Sequence, residues 1–217
     1  MLVLAKSLVR KTLGRLGFDI VRAYRTSPLS TIDASIAIPG GVRNIHYASF
    51  TRLLPGWLNV DLIPEEMARS RGGANLHYVR ADLTQRHPFS DEIFRFGFAE
   101  DFVEHLDQAD SLTFLAECYR TLEAGGVLRL SSPSLEGVLH RHYPHEGIAP
   151  LAGKESAYTR WQHRHFYSRE ELASVAQHIG FRKVQFVVYG CSDYPELRLL
   201  DHREEQRDLN LYVELTK

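Results

Sequence analysis

The architecture follows from the stretch AECYRTLEAGGVLRLSSPSLE, residues 116–136. It ends a predicted helix, 107–122, whose apolar residues recur at helical spacing. Those residues, predicted to share one side of the helix, are Leu112, Leu115, Ala116, Tyr119 and Leu122. The pair Gly125-Gly126 then supplies the left-handed turn that commonly ends a helix. An apolar strand, 127–131, follows and stops before Pro133, so a helix leads directly into a buried strand.

The same alternation continues in both directions along the chain. Further strands are predicted at 43–47, 58–63, 76–80, 93–99, 184–189 and 209–215. A helical turn is predicted at 65–71, and a second long helix begins at Ser168 with the capping box Ser168–Glu171. Gly180 closes that helix. Alternating strands and helices predict an α/β sheet covered by helices on both faces.

Composition places the chain among ordinary globular proteins. Of its 217 residues, 44% are apolar and 24% charged, which excludes a disordered chain, a collagen and a disulfide scaffold. The 26 basic and 27 acidic residues nearly cancel, which argues against binding nucleic acid by bulk charge. Cys118 and Cys191 are too few for a zinc cage, and reduced thiols in the cytoplasm are the default expectation.

The first 25 residues differ from the rest. They hold six basic residues against one acid, Asp19, with apolar residues at roughly helical spacing. Their longest apolar run, residues 1–5, is far shorter than the roughly 20 residues of a membrane span. A basic amphipathic helix of this kind lies on an anionic membrane surface, or it contacts the main domain or a protein partner. We expect a linker at 26–42, then a main domain at 43–217 with a lid-like insertion at about 137–167.

Several stretches together resemble the class I S-adenosylmethionine-dependent methyltransferases. They are LPGWLNVDL (54–62), ADL (81–83), PFSDEIFRFGFAEDFVEHL (88–106) and the opening stretch, 116–136. The chain is most similar to a small bacterial group with an LPGWxNVD strand, whose members share the segments 161–167, 192–197 and 211–214.

The resemblance implies a three-layer α/β sandwich with a mostly parallel, seven-stranded Rossmann-like sheet and an antiparallel last strand. It also implies S-adenosylmethionine as cofactor, and methyl transfer to a hydroxyl-bearing small molecule or saccharide. The alternative is a catalytically silent relative that serves as a binding or scaffold protein.

Two acids occupy the strand ends where this family binds its cofactor. The resemblance assigns Asp61 to the ribose hydroxyls, because a carboxylate accepts both of their hydrogen bonds, and Asp82 to the adenine amino group. Read without the resemblance, both residues are typical turn or helix caps. The full predicted cofactor set is Ala48, Ser49, Phe50, Asp61, Leu62, Asp82, Leu83, Ala99 and Glu100.

The chain departs from the family after its first strand. Where the family has a glycine-rich GxG turn, this sequence has Ala48, Ser49 and Phe50. Glycine serves there because it tolerates positive φ and has no side chain. The Phe50 ring turns either inward, over the methionine subsite, or outward, against Leu53 and Leu54. An inward ring would weaken or abolish cofactor binding, and an outward ring would be buried.

The motif D-x-x-E-H, residues 101–105, follows the fourth strand. In the similar ubiquinone-type O-methyltransferases, matching residues are associated with a divalent metal. The alternative, which we expect, is that Glu104 and His105 only cap and pack a helix, with no metal. The predicted catalytic residues are His105, His163 and His165, where His163 or His165 serves as general base toward the acceptor.

Overall fold

The protein is represented by a computed structural model that describes residues 36–72, 76–143 and 150–217. The predicted basic helix, 1–25, and most of the predicted linker lie outside these ranges. The strands of the described residues are β1 Asn44–Tyr47, β2 Leu58–Asp61, β3 His77–Arg80, β4 Phe94–Glu100, β5 Leu122–Pro133, β6 Lys183–Phe186 and β7 Asn210–Thr216.

These strands form one sheet in the order β3-β2-β1-β4-β5-β7-β6. Strands β1 to β5 run parallel, and β7 runs antiparallel to both β5 and β6. This arrangement confirms the predicted mostly parallel, seven-stranded α/β fold with an antiparallel last strand. Strand β1 lies between β2 and β4, where the chain reverses its order across the sheet. The carboxyl ends of strands at such a switch point are where open α/β sheets bind ligands.

Strand β5 is longer than the sequence predicts. Pairing with β4 already begins at Leu122, opposite Phe94, and resumes at Val127, opposite Phe96. The intervening residues form an irregularity in which Gly125 adopts φ +75°. The predicted left-handed glycine is therefore present, but it lies within the strand pairing and does not separate helix from strand.

The helices of the described residues are α1 Glu65–Gly72, α2 Gln108–Thr121, α3 Leu135–His142, α4 Pro150–Lys154 and α5 Arg169–Ile179; α4 continues as a π-helical turn, Glu155–Thr159. The predicted cap of α5 is confirmed, since the Ser168 side chain accepts a hydrogen bond from the Glu171 amide at 3.0 Å. Helix α3 packs closely on the backbone of Leu209, so that a Cβ added to Gly137 would clash with the Leu209 carbonyl group. Helix α4 and most of α3 lie within 137–167, the segment predicted to form a lid-like insertion.

The buried face of α2 differs from the prediction. Leu112 and Ala116 are exposed, whereas Phe114, Leu115 and Cys118 are buried. Two polar residues, Ser111 and Thr121, complete the buried stripe. The Ser111 hydroxyl bonds to the Tyr167 hydroxyl at 2.9 Å, and Thr121 bonds to the Tyr47 hydroxyl at 3.3 Å. The prediction failed because a count of apolar residues leaves out hydroxyls that are satisfied inside the core.

Both faces of the sheet carry buried apolar residues. The larger cluster includes Phe114 of α2 and Leu172 of α5, which lie over one face. A second cluster joins Trp57, Phe98 and Leu197, and the short 3₁₀ helix Pro195–Leu197 contacts β4 there. None of the helices in the described ranges has the length and apolar content that crossing a membrane requires.

The buried side chain of Arg129, on β5, ties the C-terminal part of the chain to the sheet. Its guanidinium donates to Asp201, to the Glu214 carboxylate at 2.9 Å and to the Cys191 carbonyl at 2.8 Å. All three charged side chains are at most 4% exposed. A guanidinium that is buried away from solvent is stable only when acceptors of this kind surround it. The contacts of Arg129 with Cys191 and Asp201 therefore hold the segment 190–201 against β5.

Replacing Asp201 with alanine tests this anchor. Asp201→Ala leaves Arg129 buried with one carboxylate fewer, and we expect the free energy of unfolding in urea to fall by about 3–5 kcal/mol. Asp193→Ala, an exposed acid of the same segment, is the control and should change it by less than about 0.5 kcal/mol. Equal unfolding midpoints for the two variants would contradict the anchoring role.

Candidate functional site

The turn after β1 keeps the backbone of a glycine turn without its glycines. Ala48 adopts φ +50° and Phe50 adopts φ +43°, both in the left-handed region. Only glycine occupies that region without strain, and strain of this kind is concentrated at functional sites. Ser49, between them, is 2% exposed, and its hydroxyl has no hydrogen-bond partner among the described residues. Two non-glycine residues of this turn therefore adopt backbone conformations that glycine favours.

Asp61, at the end of β2, holds this turn. Its Oδ2 accepts the Phe50 amide hydrogen at 2.8 Å, and its Oδ1 accepts the Ile63 amide at 3.1 Å. Asp82, which follows β3, accepts the Thr84 amide at 2.9 Å and the Thr84 hydroxyl at 2.7 Å, both through Oδ1. Both acids thus make the local turn contacts that sequence alone suggested, and both lie at the carboxyl ends of neighbouring parallel strands.

The Phe50 ring does not lie in the outward position predicted for it, buried against Leu53 and Leu54. It is 58% exposed, and it belongs to none of the apolar clusters formed by the described residues. Leu53 and Leu54, the predicted outward partners, pack instead in two different clusters. The left-handed backbone at Phe50 explains this, because it directs the amide toward Asp61 and leaves the ring in solvent.

Glu100, the last residue of β4, already has partners. It forms an ion pair with Arg52 at 3.2 Å, its carboxylate contacts the His202 ring, and it accepts the His202 amide at 3.1 Å. Ala99, also predicted to contact the cofactor, is 2% exposed. Glu100 therefore links the turn after β1 to the C-terminal segment.

Asp101 does not lie on a helix with Glu104 and His105, contrary to the helical spacing considered for the D-x-x-E-H motif. It precedes the 3₁₀ helix Val103–His105 and adopts φ +50°. Its carboxylate pairs with Arg203 at 2.9 Å and accepts from Asn210 at 3.1 Å. Burial raises the pKa of Asp101 to about 6, with Arg203 opposing the shift.

Glu104 is the most unusual group of the site. Its side chain is buried, and its Oε2 accepts the Ser132 hydroxyl at 2.9 Å. Its Oε1 has no partner among the described residues and lies 3.9 Å from His105 Nε2. Burial raises the pKa of the Glu104 carboxyl to about 8, and the nearby Asp101 carboxylate adds to the shift.

Two of the three predicted catalytic histidines lie together beside Glu104. The rings of His105 and His163 are 4.8 Å apart between centroids. The Glu104 carbonyl accepts the Arg164 amide at 2.7 Å, which places His163 next to His105. Burial lowers the pKa of His105 to about 4 and lowers that of His163 as well, so both imidazoles are neutral at pH 7. His165 lies elsewhere, 3.1 Å from Glu171 and against the Tyr167 ring.

These side chains line a cavity of about 430 Å³. Its wall also includes Arg141, His142, Ser156, Trp161, Phe166, Arg203 and Gln206. None of these is among the site residues predicted from the sequence, because they come from segments far from the strand-end motifs. The available signal is the density of aromatic and basic residues in 140–167, which is part of the segment predicted to form a lid.

One family model matches part of the chain. Residues 44–130 match the family model described as "Methyltransferase domain". A search of curated proteins found no significant match.

Many solved structures share the fold. One is an S-adenosylmethionine-dependent methyltransferase from Thermotoga maritima, with 21% identity over 81% of this chain and 82% of that one, at a TM-score of 0.54. Another, from Mesorhizobium loti, has 18% identity over 83% and 94%, at a TM-score of 0.56. A third is a phosphoethanolamine N-methyltransferase 2 from Haemonchus contortus, in complex with S-adenosylhomocysteine. It has 14% identity over 83% of this chain and 49% of that one, at a TM-score of 0.54.

The exposure of Phe50 predicts an unusual response to mutation. Phe50→Gly removes little buried surface and relieves a left-handed phenylalanine, so we expect stability to stay level or to rise by up to about 1 kcal/mol. The control, Phe98→Ala, empties a fully buried position and should cost about 3–5 kcal/mol in the same urea titration. A loss of that size for Phe50→Gly would mean that the ring is buried in solution.

Glu104 predicts a pH dependence of stability. Its pKa is about 8 in the folded chain against an ordinary 4.5, so the folded state holds a proton that the unfolded state has lost. The contribution of protonated Glu104 to the free energy of unfolding is therefore present at low pH and is lost as the pH rises through about 8. We expect the unfolding free energy of wild type to fall by about 1–1.5 kcal/mol relative to Glu104→Gln between about pH 7 and pH 9.

That window separates Glu104 from its neighbours. The pKa shifts of Asp101 and His105 act below about pH 6.5. Glu66→Gln, at an exposed acid of α1, is the control and should track wild type. Parallel stability curves for wild type and Glu104→Gln would show that this carboxyl is ionised at pH 7.

Proposed function

This chain carries a class I, S-adenosylmethionine-dependent methyltransferase domain, and we propose that it transfers a methyl group to a hydroxyl-bearing small molecule or saccharide. S-adenosylmethionine is the cofactor of this family, as the sequence predicted. The observation that carries the proposal is the turn 48–50, which retains a glycine-like path beside Asp61. A turn that had lost its function would not need to keep two strained residues.

The residues at the ends of β1, β2 and β3 fit a nucleoside cofactor. Each Asp61 oxygen accepts one amide hydrogen and retains a second lone pair, which leaves two acceptors for the two ribose hydroxyls. Asp82 bonds to Thr84 through Oδ1 and keeps Oδ2 for the adenine amino group. The exposed side chains of Phe50 and Leu62 adjoin this region and offer apolar contact to the adenosine. When bound, the cofactor supplies an electrophilic methyl group on its sulfonium sulfur.

We place the acceptor in the 430 Å³ cavity, which begins at Asp101 directly after β4. Its volume suits a small molecule. Trp161 and Phe166 offer apolar ring surface, while Arg141, Ser156 and Gln206 offer hydrogen bonds, a combination that suits a polyhydroxylated ring. The neutral imidazoles of His105 and His163 supply nitrogen lone pairs where the acceptor hydroxyl must be oriented and lose its proton. His165 contacts Glu171 and is not part of the cavity lining, so we assign it no role in methyl transfer.

Residues 1–25, the basic N-terminal extension, are the proposed site of contact with a membrane or a protein partner. We propose that the basic residues of 1–25 contact an anionic membrane surface or an acidic protein surface, as their charge pattern suggests. One structure that shares the fold is a complex of a Haloferax volcanii methyltransferase with its activator Trm112. A cytoplasmic location remains a prediction from the two free cysteines.

Titration calorimetry with S-adenosylhomocysteine tests cofactor binding. We expect wild type to bind, and Asp61→Asn to lose about 1.5–3 kcal/mol, roughly 10- to 150-fold in Kd, because the ribose hydroxyls lose a charged acceptor. Asp193→Asn, far along the chain and exposed, should bind like wild type. No heat with wild type at millimolar ligand would favour the alternative, a catalytically silent binding or scaffold protein.

A further inference from the structure

We propose that Glu104, His105 and His163 form a binding site for a divalent metal ion of the zinc type, on the wall of the acceptor cavity. The role of such an ion in catalysis rests on the proposed function, but its binding does not. The expectation from sequence was different, because Glu104 and His105 alone are typical of a capped helix. His163, which the fold brings beside them, changes that interpretation.

The geometry is close to that of a metal site. One ligand atom from each residue lies within 4.8 Å of the other two, and Glu104 Oε1 is 3.9 Å from His105 Nε2. Ligands at the usual zinc distances of about 2.0–2.2 Å, arranged tetrahedrally, lie roughly 3.4 Å apart. Side-chain rotations that move the ligand atoms by about 1 Å would therefore bring all three within bonding distance of one ion.

The second observation is the unsatisfied oxygen of Glu104. The residue is 1% exposed, lines the cavity, and leaves Oε1 without a hydrogen-bond partner among the described residues. A buried polar atom of this kind costs free energy unless something binds it. A cation in the cavity would satisfy that oxygen, whereas a role in capping or in apolar contacts would not.

The histidines are held as metal ligands usually are. His163 Nδ1 lies 2.7 Å from the Ala157 carbonyl, so Nδ1 carries the proton and Nε2 keeps its lone pair. His105 interacts with the backbone of Gln162, which adopts a strained φ of +62°. A backbone carbonyl therefore fixes the tautomer of His163 before any ion binds.

The three proposed metal ligands are not the three residues of the D-x-x-E-H motif, because His163 takes the place of Asp101. Asp101 pairs with Arg203 and accepts from Asn210, so its carboxylate is already satisfied. His163, 58 positions after His105, takes the third place. Two imidazoles and one carboxylate leave at least one coordination position open, as in catalytic zinc sites.

That open position defines the ligand class. It faces a cavity that suits a polyhydroxylated acceptor, so the ion would bind an acceptor oxygen. A metal-bound hydroxyl would lose its proton to solvent more readily. Its oxygen would then attack the methyl carbon while the carbon–sulfur bond of the cofactor breaks, and S-adenosylhomocysteine would leave as the neutral thioether. The ion then takes over the activation for which the two imidazoles otherwise supply lone pairs.

Cobalt(II) spectroscopy on the tag-free full chain tests the site. After treatment with a chelator, we expect wild type to bind one Co²⁺ per chain, with the strong visible bands of a four- or five-coordinate ion, and Zn²⁺ to displace it. Affinity should fall by about tenfold or more in His163→Ala and in Glu104→Gln. His140→Ala, which removes an exposed histidine of α3, is the matched control and should bind like wild type.

Each outcome decides the matter. Absence of stoichiometric Co²⁺ binding in wild type, or equal affinity in all four proteins, overturns the metal site. Circular dichroism checks that each variant is folded, and Glu104→Gln keeps the test valid if His163→Ala is not. Calorimetry with S-adenosylhomocysteine in chelator separates the two proposals: cofactor binding without Co²⁺ binding overturns only the metal site, and the reverse overturns only the proposed function.

Discussion

A buried guanidinium is the constraint from which the arrangement of the site follows. Arg129 stands on a central strand with no exposed surface, so the chain must bring it carboxylates and a carbonyl. Asp201 meets that need, and its neighbours His202 and Arg203 are thereby placed against Glu100 and Asp101 at the end of β4. A buried ion pair inside the sheet thus fixes one wall of the 430 Å³ cavity outside it.

The turn after β1 shows a second way in which the fold overrides local preference. Ala48 and Phe50 adopt conformations that favour glycine, and each costs about 1–3 kcal/mol. The amide bond from Phe50 to Asp61 and the parallel pairing of β1 with β2 hold the turn in place. Strain persists here because the surrounding contacts over-determine the chain path, at the edge where this fold binds its cofactor.

Glu104 connects these structural features to chemistry. Its carbonyl accepts the Arg164 amide, its Oε2 accepts from Ser132, and its Oε1 has no hydrogen-bond partner among the described residues. The same residue therefore positions a segment 60 residues later and contributes a carboxyl group to the lining of the cavity. In a buried site, that carboxyl is either protonated or bound to a cation, because an isolated charge is too costly.

The sequence by itself determined the succession of strands and helices along the chain, the capped helix α5 and the likeness of residues 44–130 to a methyltransferase domain, because period, caps and strand-end acids are local patterns that depend on neighbouring residues only. It did not determine the buried face of α2, where hydroxyls pair with tyrosines from other elements. Nor did it determine which histidine contacts His105. His163 and His165 are the same residue type, only two positions apart, so the local sequence does not distinguish them. Only the tertiary structure decided that His163 joins His105 while His165 joins Glu171, because that choice depends on which backbone carbonyl the segment docks against.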